Sequence, residues 1–173
     1  GAMVFTGCGG GAPDPQDGAP EEPIVMSYDV KIYYVNNEYV ETGDENLDPL
    51  LVDEKKIEVE EGQNAYIALL KLLAEVPNDE MGTVVTDDII FNDVYLNEET
   101  IVVDLASEGI YGHGGSLTEM LFINQIVTTL LENNELAGSD SPPKKVQFLV
   151  DGEIVESLMG HITASEPFAQ LDL

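Results

Sequence analysis

Arginine and tryptophan are missing from this chain, lysine occurs six times, histidine twice and cysteine once. Set against 34 acidic residues, the six cations leave a formal net charge of −28. Nucleic-acid binding depends on cations that displace phosphate counterions, so that class is excluded. The same field repels anionic lipids and anionic wall polymers. A single cysteine allows no disulfide within the chain. Two histidines and one cysteine cannot close a zinc site without help from carboxylates. No stretch reaches the ~18 uninterrupted apolar residues that a membrane-spanning helix needs.

What is present fits one body with a tail. The 173 residues favour a single domain, and a body of about 150 residues buries roughly 70% of its unfolded surface. Gly1-Ala2-Met3 reads as a cloning remnant. In Val4-Phe5-Thr6-Gly7-Cys8-Gly9, a small residue precedes the cysteine and glycines follow it. That order resembles the end of a bacterial lipoprotein signal, with Phe5 in place of the usual leucine. There the thiol is alkylated by diacylglycerol and becomes the mature N-terminus, so Cys8 is the expected lipid anchor. Gly9 to Ser27 is mostly Gly, Ala, Pro, Asp, Gln and Glu. Such a segment buries too little apolar surface to offset its ordering entropy and is expected to be a tether. As a flexible coil it spans ~24 Å, or ~60 Å fully stretched. The expected division is residues 1–27 for the remnant, anchor and tether, and 28–173 for the folded domain.

Within the body, YDVKIYYV (28–35) alternates, with Val30, Ile32 and Tyr34 on one face, and predicts a strand. LLVDEKKIEVE (50–60) predicts a second. AYIALLKLLAEV (65–76) places Tyr66, Leu69, Leu70 and Leu73 on a helical stripe that Pro77 ends. IIFNDVYL (89–96) and TIVVDLA (100–106) flank a short turn and predict a hairpin. SLTEMLFINQIVTTLLEN (116–133) is the strongest helical pattern, with Met120, Ile123, Val127 and Leu130 on its apolar stripe. KVQFLV and EIVESL flank Asp151-Gly152, a pair suited to the positive φ angles of a type I′ turn. The order is β-β-α-β-β-α-β-β. It predicts an α+β fold with two helices packed on one face of a mixed, mostly antiparallel sheet.

The chemical candidates are few. Ser116 and Glu119 have the spacing of a capping box, in which each side chain accepts from the other residue's backbone N–H. The glycines of YGHGGSLTEM then serve as the turn into that helix. A phosphate loop would need the Gly-x-x-x-x-Gly-Lys-Ser/Thr spacing or a nearby cation, and has neither. A hydrolase would use His113 or His161 as base for Ser107 or Ser116, oriented by Asp104 or Glu166. Neither a G-x-S-x-G elbow nor an H-E-x-x-H pattern accompanies them. Asp44 to Asp48, and Thr86 to Asp88 with Asn92-Asp93, are oxygen-rich but lack the order of an EF-hand loop. They amount to a weak calcium sink at most, and neither a metal nor a cofactor is expected.

The C-terminal third carries a resemblance. KKVQFLVDGEIVESLMGHITASEPF (144–168) is similar to the closing signature of the GerMN domain, the sporulation and spore germination family. TIVVDLASE (100–108) resembles that family's V-D-L-S strand end, with Ala106 where Ser is usual. VVTDDIIF lacks the usual Pro-x-Gly-Thr approach to the third strand. The glycine-rich turn with SLTEMLFINQIVTTL resembles its long second helix, and VKIYYV with LLVDEKKIEV its opening region. The resemblance spans about residues 28 to 170. It implies a fold like that of ring-building modules and a non-enzymatic, extracytoplasmic, membrane-tethered domain that acts through protein–protein contact. It implies no catalytic residues. The signature positions Asp104, Asp151, Gly152, Gly160, His161, Glu166 and Pro167 read as turn and packing residues. Envelope proteins and a second copy of the chain are the candidate partners, and the membrane is reached through the lipid alone. The expected location is the outer face of the cytoplasmic membrane of a Gram-positive-type bacterium. The alternative is a module binding cell-wall glycan or a small ligand, with Tyr28, Tyr33, Tyr34 and Tyr39 as stacking groups.

Overall fold

The computed structural model describes residues 22–110 and 114–170. Cys8, the tether up to residue 21 and His113 lie outside the described residues. Strand β1 (Val25–Asn36) leads into a short helix α1 (Asn37–Thr42), and β2 (Leu50–Glu60) returns beside β1. Helix α2 (Ala65–Lys71) follows, extended by a 3₁₀ turn over Leu72–Ala74. Three strands come next: β3 (Met81–Gly82), β4 (Phe91–Asn97) and β5 (Thr100–Leu105). The long helix α3 (Ser116–Leu131) then precedes β6 (Lys145–Val150) and β7 (Phe168–Ala169).

The class is the α+β one with two main helices, but the strands form two sheets rather than one. The first has the order β2-β1-β3 and the second β4-β5-β6-β7. All pairings are antiparallel except β5 with β6. The EIVESL segment is not a strand. After the Asp151-Gly152 turn a single bridge, Val150 to Glu153, forms, and β6 takes β5 and β7 as its neighbours.

Local chemistry accounts for the helix ends. The Asn64 side chain accepts from the Ile67 N–H at 3.1 Å and starts α2. Asn36 does the same for α1 through Glu38, and Gly43 at φ 69 ends that helix. Ahead of α3, Gly114 sits at φ 122, where a Cβ would meet the Thr118 side chain at 2.9 Å, so only glycine fits.

Helix α3 is buried on nearly every side, with Leu121 to Val127 and Thr129 to Leu131 all inside. One apolar stripe was expected. Instead the helix runs between β1 and β6 and also meets α2. Its partners in the core are Ile32 and Tyr34 from β1, Leu69, Leu70 and Leu73 from the α2 region, Ile101 and Leu105 from β5, and Phe148 from β6. Phe148 meets Phe168 edge to face at 5.8 Å.

A helix lying along a strand would leave that strand's edge unpaired, and two polar side chains of α3 with a third just beyond its C-terminal end prevent this. Gln125 and Thr129 lie four residues apart, ~6 Å along the helix, and Asn133 follows just after the helix ends. Lys31 and Tyr33 present the same edge of β1 ~6.6 Å apart. Asn133 accepts from the Lys31 N–H at 2.9 Å and donates to the Lys31 carbonyl at 2.8 Å. Thr129 Oγ1 accepts from the Tyr33 N–H at 3.2 Å, and Gln125 donates to the Tyr33 carbonyl at 3.1 Å. Gln125 also accepts from the Val84 N–H at 2.9 Å, which fixes the segment after β3. These side chains thus supply to β1 what a longer β3 would supply by backbone.

Candidate functional site

Two places gather residues that the sequence singles out, and a third lies where it singles out none. The first lies at the C-terminal ends of the parallel pair β5 and β6, where Leu105 and Val150 are in register. Asp104 accepts from the Gly152 N–H at 2.9 Å, and Asp151 accepts from the Ser107 N–H at 3.1 Å. The Asp151 N–H in turn donates to the Leu105 carbonyl at 2.8 Å. Asp151 and Gly152 sit at φ 49 and 83, the left-handed geometry of a two-residue turn. Each aspartate therefore ties down the backbone that follows the other's strand.

The second place is the segment 156–164. Its neck is closed by the Ala164 N–H donating to the Glu156 carbonyl and by the bridge between Ser157 and Thr163. Gly160, at φ 98, lets the tip turn. The Glu119 carboxylate, fully buried, enters this loop from α3. It accepts from the backbone N–H groups of Met159 at 2.5 Å, His161 at 2.9 Å and Ile162 at 2.7 Å. A buried carboxylate is costly unless its lone pairs are met, and here three donors meet them. This corrects the capping reading. The N-cap of α3 is Gly115, with no side-chain hydrogen bond, and Ser116 is the exposed first helical residue. Glu119 is withdrawn from the helix start because a better set of donors lies in the 159–162 loop.

These engagements bear on chemistry. His161 contributes its backbone N–H and exposes its side chain, Asp104 is held by the turn, and Glu166 and Pro167 lie exposed before β7. Among the described residues no hydrogen bond joins the His161 ring to Ser107, Ser116, Asp104 or Glu166. Among those residues, too, no group of three or more His, Cys, Asp or Glu side chains is placed to hold a metal ion. Asp44 accepts from the Asn46 N–H, and Asp93 from the Val94 N–H, so each oxygen-rich loop uses one carboxylate oxygen in its own turn. An open recess of about 610 Å³ between α1 and the 79–80 turn carries Glu38, Glu41, Asp48, Asp79 and Glu80, with no lysine or histidine.

Tyr33 and Tyr34 do not share a stacking face. Tyr34 is fully buried, its single O–H is shared between the Leu72 and Glu75 carbonyls, each 2.8 Å away, and its oxygen accepts from Lys55 Nζ at 3.0 Å. Burial raises its phenol above the ordinary range, with Lys55 opposing the shift. Tyr33 points to the opposite face and donates to Glu132. Desolvation, with that neighbouring carboxylate, raises its phenol to about 12.

The third place is the outer edge of β2. Antiparallel pairs alternate between hydrogen-bonded and open. The bonds from Asn36 to Pro49 and from Glu61 to Ile24 fix that alternation at the two ends of the β1–β2 ladder. Even residues of β1 therefore bond odd residues of β2, in keeping with the use of Lys31 and Tyr33 toward α3. The N–H and C=O groups of Val52, Glu54, Lys56 and Glu58 point outward, and their side chains are exposed. Among the described residues no strand pairs with this edge. Four alternate positions ending in a turn were visible in the sequence, but nothing there said which side of the strand would stay open.

Comparison with known proteins places this architecture. The fold is similar to that of a candidate lipoprotein from Clostridium perfringens, with TM-score 0.51, 16% identity, and coverage of 89% of this chain and 95% of the other. It is also similar to the tandem GerMN domains of the sporulation protein GerM from Bacillus subtilis, with TM-score 0.54 and 16% identity. That match covers 92% of this chain and 48% of the other, so the chain spans about half of the tandem structure. No curated protein matches the chain. Among the described residues no helix is long and apolar enough to cross a membrane. The profile of the Germane family, described as sporulation and spore germination, matches residues 31–156, and the chain belongs to that family.

Proposed function

We propose that this GerMN domain is a non-enzymatic assembly module, held at the outer face of the cytoplasmic membrane through a lipid on Cys8, that acts by contact with other envelope proteins. The observation that carries this reading is the outer edge of β2, a row of backbone groups that no strand among the described residues pairs with and that can add a strand from another protein. The signature residues support it, because their polar atoms hold backbone in place and are not arranged around a reacting centre. The likeness to a candidate lipoprotein supports the anchoring.

The test pairs two assays on the full-length, lipid-bearing protein. Cross-linking in intact cells is expected to join the domain to envelope proteins. Incubation of the purified chain with isolated cell wall is expected to release no soluble muropeptides. Wall hydrolysis that disappears in the double variant His113→Asn, His161→Asn would overturn the reading in favour of an enzyme.

A further inference from the structure

We propose that the outer edge of β2 takes an extended, lysine- or arginine-bearing segment of a partner protein as an added antiparallel strand. This rests on the assembly reading above and names the chemistry of the partner. The outward positions of the edge are Val52, Glu54, Lys56 and Glu58, in that order along the strand. Directly opposed side chains on neighbouring strands interact, opposite charges favourably and like charges unfavourably. Cations therefore belong opposite Glu54 and Glu58. Lys56 already meets Asp29 across the ladder at 3.5 Å, so the residue opposite it is neutral and polar. Val52, 47% exposed, takes an apolar neighbour.

The net charge of −28 acts in the same direction. It opposes the approach of a second copy of this chain and attracts a basic segment, so one charge pattern both guards the edge and selects its occupant. Strand addition also needs no deep pocket, because the backbone groups of Val52, Glu54, Lys56 and Glu58 provide the donors and acceptors.

The experiment uses the full chain and a short acetylated peptide with lysine, threonine, lysine and valine at alternate positions, written in antiparallel order. A second peptide carries glutamate in place of the lysines. The lysine peptide is expected to slow amide hydrogen exchange at Val52, Glu54, Lys56 and Glu58. It should bind at least about tenfold more tightly than the glutamate peptide, with the preference weakening as salt screens it. The double variant Glu54→Lys, Glu58→Lys should reverse the preference. Lys56→Pro should abolish binding without loss of fold, because the Lys56 N–H faces away from β1 and an edge strand tolerates proline there. Three results would overturn the proposal: equal binding of both peptides, protection confined to another edge, or exchange protection that grows with protein concentration in the absence of peptide. The last would mean that a second copy is the occupant. Failure with the peptides while envelope proteins still cross-link would sink the basic-strand assignment and leave the assembly reading standing. Loss of cross-linking together with histidine-dependent wall release would sink both.

Discussion

Glu119 is the residue on which sequence spacing and three-dimensional chemistry part most clearly. Three residues after Ser116, it has the position of a capping partner. In the fold it leaves the helix start and takes three N–H groups of the 159–162 loop. A glutamine there keeps one oxygen for two of these donors and turns an N–H toward the third. Glu119→Gln is therefore expected to cost about 1–3 kcal/mol, with exchange accelerated at Met159, His161 and Ile162. Ser116→Ala, at an exposed position without a side-chain hydrogen bond, should fall within about 0.5 kcal/mol of the parent. Chemical denaturation of both variants decides the matter. A large loss from Ser116→Ala beside a small one from Glu119→Gln would restore the capping arrangement.

At the scale of elements, helix α3 does the work of two structures. Its apolar residues fill the core, and Gln125 and Thr129, with Asn133 just past its end, complete the edge of β1. Thr129→Val keeps the side-chain shape but leaves the Tyr33 N–H without an acceptor. We expect a loss of about 1–3 kcal/mol and faster amide exchange at Tyr33, read by hydrogen exchange. Unchanged stability with a protected Tyr33 amide would mean that the helix does not serve the strand. The same helix marks what a sequence discloses. Periodicity located β1, β2, α2, the β4–β5 hairpin, α3 and β6, because apolar spacing reports which face is buried. It did not disclose that α3 is buried on nearly every side, since a polar residue every fourth position looks like a solvated face until a strand edge lies beside it. It also joined the strands into one sheet, because sheet membership depends on contacts far apart in the chain. Asp151-Gly152 marked its turn locally, whereas the strand expected after it had no partner edge left on β6.

For the whole molecule, 34 acidic residues against six lysines govern the response to salt, and most of those carboxylates have no cation beside them. The ion pairs of Lys55, Lys56 and Lys144 involve half of the six lysines and leave the bulk of the negative charge uncompensated. Compaction brings these charges together, so self-repulsion weakens the folded state and screening relieves it. Between about 10 mM and 500 mM NaCl the screening length falls from ~30 Å to ~4 Å. The Tm is expected to rise by about 3–8 °C over that range, equivalent to roughly 1–2 kcal/mol for a domain of this size. Calcium and magnesium at matched ionic strength should give equal gains without saturation, because among the described residues no three carboxylates converge to hold an ion. Differential scanning calorimetry across the two series makes the measurement. A flat or falling Tm would show that repulsion is not what limits stability, and a saturable gain specific to calcium would reveal a built cation site. The salt series also separates the two roles of the charge. Screening should strengthen the fold while it weakens the hold of β2 on a basic strand, so stability and partner binding are expected to move in opposite directions in the same buffers.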